Sequence, residues 1–365
     1  MQVQTTRMEA AGPDWATDRL DQVASSFARA ADATGGVAVH DYVVGGLPLS
    51  LRFASPALRE RLAPAFAHLA APADRASTPP GLTVNLWDSV STGTEPPPRP
   101  RTPPDRAQGA LYHFHEPPLR GAYQPGLETL SILDSSARVA WHWMASALEQ
   151  PSWDQACPIR QILFWWLESC GYLQVHGAAV GTAAGGVLVV GQAGSGKSTV
   201  ALACLGSELL YAGDDYVAVG VEPSPRVASL YNSGKLEPAH VHELLPHLLP
   251  LLANPEELER EKAVVYVHEH FPEQTTAGFP LAAVLVPTLR PGRREPRVVE
   301  ASRAAAFAAL APSTIFQLHT AGAGELATMS ALVARLPCYT LELGEDVAAI
   351  PRTISDLLTM LSGDG

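Results

Sequence analysis

Basic residues are too few for the chain to be a dedicated binder of polyanions. The 25 lysines and arginines stand against 37 aspartates and glutamates, a formal net charge of −12 at pH 7. Nucleic acid and anionic membrane both need a cationic surplus that displaces counterions, so neither is expected as a partner. Cysteine is scarce as well. Cys157, Cys170, Cys204 and Cys338 lie far apart, with no C-x-x-C spacing and no neighbouring histidine. That argues against a disulfide scaffold or a common zinc site and for small buried side chains in a reducing cytoplasm. No apolar run reaches the roughly 18–20 residues of a membrane-spanning helix. The N-terminus lacks the basic-then-apolar pattern of a signal peptide, so the expected location is cytoplasmic.

What is present is core material. Hydrophobic residues make up 47% of the 365-residue chain, enough for about two domains of ordinary size. Residues 14–32 carry Leu20, Val23 and Phe27 at helical spacing. Extended runs at Val37–Val44 and Leu47–Phe53 flank Gly45-Gly46, a hairpin signal. A helix over Pro56–Leu69 follows, then strands at Leu82–Trp87, Leu111–His115 and Val139–Trp143. Between them Glu95–Asp105 is dense in proline and is expected to be a surface loop of polyproline character. Residues 1–150 are therefore read as a β-rich α+β domain, and residues 151–365 as a second domain. Trp141, Trp143, Trp153, Trp165 and Trp166 are expected to pack at the junction.

The second half alternates more regularly. A helix over Ile159–Ser169 runs into strands Leu173–Val180 and Gly186–Val190. A helix over Lys197–Cys204 and a strand Leu209–Ala212 come next. Strands are further expected at Val264–Val267, Leu281–Val286 and Tyr339–Leu343. Helices are expected at Ala304–Ala311, Glu325–Leu336 and Ile350–Leu361.

Gly191-Gln192-Ala193-Gly194-Ser195-Gly196-Lys197-Ser198-Thr199 fits G-x-x-x-x-G-K-[ST], with an apolar strand leading in and a helix-forming run leading out. Glycines there let backbone N–H groups turn inward as an anion nest, and the following helix start adds partial positive charge. Lys197 is placed to reach the β- and γ-phosphates of a nucleoside triphosphate, and Ser198 to ligate Mg²⁺. Downstream, Asp214-Asp215 ends a short apolar segment. One carboxylate can hold the metal and the other take a hydroxyl proton, mutual repulsion raising one pKa. His176 lies on the strand before the loop, where a satisfied core histidine and an active-site group both remain open readings.

His176-Gly177, the loop Gly191–Thr199 and Asp214-Asp215, in that order, resemble the catalytic domain of HPr kinase/phosphorylase. The resemblance implies a P-loop domain on a mixed sheet, related in fold to phosphoenolpyruvate carboxykinase. It implies that Lys197 and Ser198 handle phosphates and metal, Asp214 assists the metal, Asp215 activates a serine hydroxyl, and His176 is accessory. The tail Leu336–Leu341 with Gly344-Glu345-Asp346 is similar to the divergent kinases of peptide-modification clusters, some of which phosphorylate lasso-type precursors. The family's arginine-containing signature after Asp-Asp is replaced here by Leu230–Leu236. This leaves phosphorylase activity, and HPr as substrate, outside the expectation.

Within that replacement, Ser233 and Lys235 read either as nucleotide or acceptor contacts or as an ordinary turn. Arg290, Arg293, Arg294 and Arg297 read either as a solvated loop or as a phosphate clamp or acidic-peptide dock. His268, Glu269 and His270 alternate faces if they lie on a strand, which argues against a metal site. The expected function is an ATP- and Mg²⁺-dependent kinase acting on a serine hydroxyl of a peptide or small protein. A small-molecule or carboxykinase-like enzyme and a nucleotide-binding regulator with little turnover are the alternatives. The carboxykinase option lacks a Lys/His pair for Mn²⁺ that the sequence can place. Homo-oligomerisation stays open.

Overall fold

The computed structural model describes residues 13–72, 79–98, 110–316 and 322–363. It is a mixed α/β structure built on two large sheets, each combining parallel and antiparallel pairs. Helix α1 (Pro13–Ala33) precedes the first sheet, whose strands are β1 (Ala38–Val44), β2 (Leu47–Phe53), β3 (Leu82–Asp88), β4 (Ala110–Glu116), β5 (Leu119–Gln124), β6 (Thr129–Asp134) and β7 (Val139–Met144). Their order is β1-β2-β3-β7-β6-β5-β4. Gly45 and Gly46 both take positive φ at the β1–β2 turn, as a tight hairpin requires. β5 and β6 carry no strand signal in the sequence because consecutive residues in each are buried, which erases the alternation of a half-buried strand.

The helix expected over Pro56–Leu69 divides in two. Ser55 caps α2 (Pro56–Leu62), its hydroxyl accepting from the Leu58 N–H, and Ala63–Leu69 continues as 3₁₀ turns. Pro64 has no N–H to return to the Glu60 carbonyl, so the α pattern stops there. A single turn, α3 (Ser89–Thr92), is capped by Asp88. Of the proline-rich loop, Glu95–Pro98 takes no regular structure, and its remainder from residue 99 lies outside the described residues.

The second part begins with α4 (Ser152–Gln155) and α5 (Arg160–Ser169). Its strands are β8 (Tyr172–Val175), β9 (Gly177–Thr182), β10 (Gly185–Val190), β11 (Leu210–Gly213), β12 (Val217–Gly220), β13 (Arg226–Ser229), β14 (Ser233–Leu236), β15 (Ala263–Tyr266), β16 (Gly278–Leu289), β17 (Arg297–Glu300) and β18 (Cys338–Leu343). Most form one sheet ordered β11-β9-β10-β16-β13-β12-β8, with β18 on β16 and β17 on β18, while β14 and β15 pair separately. The long β16 joins the halves of this sheet: its start pairs antiparallel with β13, and its end runs parallel to β10 and β18. The strand expected over Leu173–Val180 is in fact β8 and β9, interrupted at His176, and the two segments pair with different neighbours.

Helices α6 (Lys197–Ala203), α7 (Pro238–Leu244) and α11 (Ile350–Gly363) cover one face of the sheet, and α9 (Arg303–Ile315) and α10 (Ala323–Arg335) the other. A short α8 (Val267–His270) follows β15. The first sheet packs one face under α1, where Val23, Phe27, Trp87 and Trp143 meet. Its other face shares a core with α5 and the second sheet: Leu51, Leu82, Trp165, Trp166, Tyr216 and Tyr231 belong to one buried cluster. Trp165 and Trp166 thus sit where the two parts meet, whereas Trp143 is buried beneath α1.

Candidate active site

The site is assembled at the carboxyl end of β10. All six residues of that strand are buried, and the chain leaves it through Gly191–Gly196 to enter α6. Gly194 and Gly196 turn the loop at φ 78° and 101°, a region that glycine occupies without steric cost. Gly196 has a second reason to lack a side chain, since a Cβ there would stand 2.6 Å from Leu343. The crest Gln192-Ala193-Gly194 is exposed, while Lys197 and Thr199 are buried.

Lys197 folds back on the loop, its ammonium donating to the carbonyls of Gly191 at 2.8 Å and Gln192 at 3.2 Å. Burial lowers its pKa, with the nearby Asp214 and Asp215 charges opposing. Ser195 Oγ is buried without a hydrogen-bond partner, an orphan that an incoming oxyanion would satisfy. Ser198 Oγ donates to Asp214 Oδ1 at 3.0 Å, which ties the loop to the end of β11.

Asp214 and Asp215 part company at this point. Asp214 is fully buried and accepts from Ser198 and from the Lys235 backbone N–H at 3.1 Å. Asp215 takes φ 68°, unusual for a residue with a side chain. Its Oδ1 lies 3.1 Å from His176 Nε2, its Oδ2 2.5 Å from Lys235 Nζ, and the Cys157 thiol points at Oδ2 from 3.8 Å. Asp215 also accepts the Gly177 N–H through its backbone carbonyl at 3.1 Å. His176 is held from the far side by the Ser313 carbonyl, 3.2 Å from Nδ1.

Repulsion within the acidic pair does raise one pKa, but that of the other residue. Burial, then the neighbouring Asp215 charge, push the Asp214 carboxyl up. Burial would also raise Asp215, yet the Lys235 ammonium and the His176 hydrogen bond outweigh it and hold that carboxyl well below the usual range. Lys235 is correspondingly held above the usual amine value: burial disfavours its charge and Asp215 more than compensates.

The two residues singled out in Leu230–Leu236 have different fates. Both lie on β14, paired to β15, and not in a turn. Ser233, a possible contact, is buried, and its hydroxyl is spent on the Ala156 carbonyl. Lys235 reaches Asp215. Arg290 and Arg293, read as a solvated loop or as phosphate or acceptor contacts, converge with Arg297 on the mostly buried Glu342. Their charge is partly committed to that carboxylate. The His268–His270 segment is the helix α8 and not a strand, with His268 Nδ1 2.7 Å from Thr275 Oγ1. Among the described residues no three His, Cys, Asp or Glu side chains are grouped to hold a metal. A groove of about 870 Å³ lies between β17 and α11, lined by Glu295, Glu300, Asp346 and Asp356 together with Arg297 and Arg352 and by no residue of the loop or the acidic pair.

Four neighbours escaped the sequence reading because they come from the segment joining the two sheets or from an apolar strand start. Besides Cys157, these are Asp154, Arg160 and Tyr216. Arg160 donates to the Tyr216 hydroxyl at 3.1 Å and lies over its ring at 4.9 Å, while that ring packs beside His176. Burial raises the Asp154 carboxyl, with Arg160 and Lys235 opposing. No spacing rule links residues 153–160 to 214–216; only the fold does.

No protein-family model matches the chain, and no curated protein sequence matches it. Among solved structures, the HPr(Ser) kinase/phosphatase from Coxiella burnetii is similar over 53% of this chain and 99% of its own, at 12% identity and a TM-score of 0.29. A superposition that loose assigns no residue a role, and the roles below rest on the geometry just described.

Proposed function

We propose that the chain is a phosphotransferase that moves the γ-phosphoryl group of ATP to a hydroxyl, with a serine of a peptide or small protein as the acceptor. One observation carries this reading: a phosphate loop is hydrogen-bonded through Ser198 to Asp214, and the adjacent Asp215 is held, ionised and partly exposed, by Lys235 and His176. The loop's turned glycines, the orphan hydroxyl of Ser195 and a lysine resting on replaceable carbonyl contacts suit a polyphosphate. A Mg²⁺ ion would have Ser198 and Asp214 as its protein ligands. Because magnesium keeps waters and takes the remaining oxygens from phosphate, a cluster of three side chains is not needed. It would supply charge neutralisation between the phosphates.

The chain's own groups account for the rest. Lys197 turns from the loop carbonyls to phosphate oxygen. Asp215 accepts the acceptor's O–H and receives its proton as the new P–O bond forms and the bond to ADP's bridging oxygen breaks. A carboxylate of low basicity suffices if the transition state is loose, because the attacking oxygen becomes acidic only late. Lys235 and His176 fix the orientation of Asp215. Residues 1–150 are the acceptor-selecting part and 151–365 the nucleotide-handling part. A lasso-type precursor is one acceptor consistent with this reading. A carboxykinase-like enzyme acting on a small acid and a nucleotide-binding regulator stay as alternatives; Lys235, an ammonium paired to Asp215, is not a Mn²⁺ ligand in this arrangement and does not favour the first.

Incubating the protein with γ-labelled ATP, Mg²⁺ and paired peptides that differ only in serine or alanine separates these. The kinase reading expects label in the serine peptides alone. Nucleotide binding without label in any hydroxyl acceptor would instead indicate a regulator.

A further inference from the structure

Arg160 is the cation at this site whose hydrogen-bonding capacity is largely unspent. A guanidinium offers five N–H donors. Among the described residues its one hydrogen bond runs to the Tyr216 hydroxyl, at 3.1 Å, and no carboxylate lies within ion-pair distance of it. Lys235, by contrast, is committed to Asp215 and to the Trp153 carbonyl, and His176 to Asp215 and Ser313. Arg160 is also held in place. Its plane rests over the Tyr216 ring, and that ring is itself buried and packed against His176.

The backbone just before it is strained. Ile159 sits at φ 50° and ψ 23°, the left-handed region that a β-branched residue rarely enters. Tight packing fixes that turn: Ile159 is buried, and Tyr231 OH donates to the Pro158 carbonyl at 2.9 Å. The strain sets the first residue of α5, Arg160, beside Tyr216 and so beside Asp215. Asp215 in turn marks where an attacking hydroxyl would stand, at a near-attack distance of about 3–3.5 Å from the phosphorus. The anion that must enter between Asp215 and the loop is the terminal phosphoryl group of the nucleotide.

We propose that Arg160 binds the oxygens of the γ-phosphoryl group and neutralises the charge that spreads over them during transfer. This deepens the phosphotransferase reading and rests on it. The site would then grip the terminal phosphate from two sides, with Lys197 on the loop and Arg160 on the segment that joins the two sheets. A planar fork of donors suits phosphate oxygens better than a second lysine would. Coupling of Arg160 to the Asp215 charge agrees with this placement: burial disfavours the guanidinium, while Tyr216, Cys157, Asp154 and Asp215 together raise its pKa.

The test is the discrimination between ATP and ADP, measured by calorimetry on the full chain with Mg²⁺. Arg160→Met is expected to weaken ATP binding by about tenfold or more, as loss of a charge-assisted hydrogen bond does, and to leave ADP binding unchanged. Arg160→Lys should recover part of the difference. Tyr216→Phe, which removes the hydroxyl that holds the guanidinium with little change of shape, should weaken ATP selectively but by less. It also serves if Arg160→Met does not fold. Equal losses for both nucleotides, or no loss for either, would overturn the proposal while leaving the phosphotransferase reading intact. Absence of nucleotide binding by the unaltered chain would instead overturn the reading on which it rests.

Discussion

Neighbouring residues of the same type are driven to opposite behaviour by their surroundings. Asp214 and Asp215 are adjacent in sequence, yet one is sealed against Ser198 and raised, while the other is drawn out by a positive-φ turn, gripped by the Lys235 ammonium and the His176 ring, and lowered. The cysteines divide similarly. Burial pushes the Cys157 thiol up to about 11 and Cys204 to about 12, whereas Cys170 is exposed. Since the thiolate is the reactive form, iodoacetamide at neutral pH should modify Cys170 rapidly in the native protein and leave Cys157 and Cys204 intact until the chain unfolds. Peptide mapping by mass spectrometry reads this directly. Modification of Cys157 at the rate of Cys170 would mean that its contact with Asp215 is not formed.

The elements show how much of this could be read from sequence. The strand, loop and helix around Gly191–Thr199 were legible because each carries its own signal: an unbroken apolar run, glycines at fixed offsets and a helix-forming segment. The break of the expected strand at His176 was not, because Gly177-Ala178-Ala179-Val180 continues the apolar pattern without a turn residue of clear type. Its cause is tertiary. A Cβ at Gly177 would stand 2.8 Å from the Val189 carbonyl, so β9 can approach β10 only with glycine there. Gly177→Ala should therefore cost about 1–3 kcal/mol. It should also loosen the Gly177 N–H bond to the Asp215 carbonyl. A lowered Tm together with impaired transfer is expected; an unchanged Tm would show that β9 shifts freely. Arg160 was invisible as a site residue for a related reason, and Lys235, legible as a candidate contact, gave no sign that it meets Asp215. Their partners lie twenty or more residues away in sequence, and β14 and the Pro158-Ile159 turn carry no motif that announces what they face.

On the scale of the whole molecule, the sequence's division near residue 150 marks a change of sheet. The interior is continuous across it, since Leu51 and Leu82 of the first sheet share a core with Trp165, Trp166 and Tyr231. One cooperative unfolding transition is expected, reported alike by tryptophan fluorescence and far-ultraviolet circular dichroism. Two separated transitions would mean that this shared core is not formed. Acid should weaken the whole. Desolvation lowers the pKa values of the buried His142 and the half-buried His68 from 6.5 to about 4 and about 3 and keeps both neutral. A histidine with a depressed folded pKa leaves the unfolded chain holding the extra proton, so stability is present above pH 6.5 and falls as pH drops below it. The slope is about 1.4 kcal/mol per pH unit for each such histidine. In denaturant titrations His142→Gln should flatten that slope between pH 6.5 and about 4. An unchanged slope would place His142 in contact with solvent. Among the described residues no helix is long and apolar enough to cross a membrane.

The central claim is that Asp215 serves phosphoryl transfer and not nucleotide binding. It is tested by comparing the unaltered chain with Asp215→Asn, measuring ATP affinity in the presence of Mg²⁺ and the rate of γ-phosphate transfer to a serine peptide on the same preparations. ATP binding within a few-fold of the original, with transfer reduced by about two orders of magnitude or more, is the predicted result. Transfer at an undiminished rate by Asp215→Asn would contradict it.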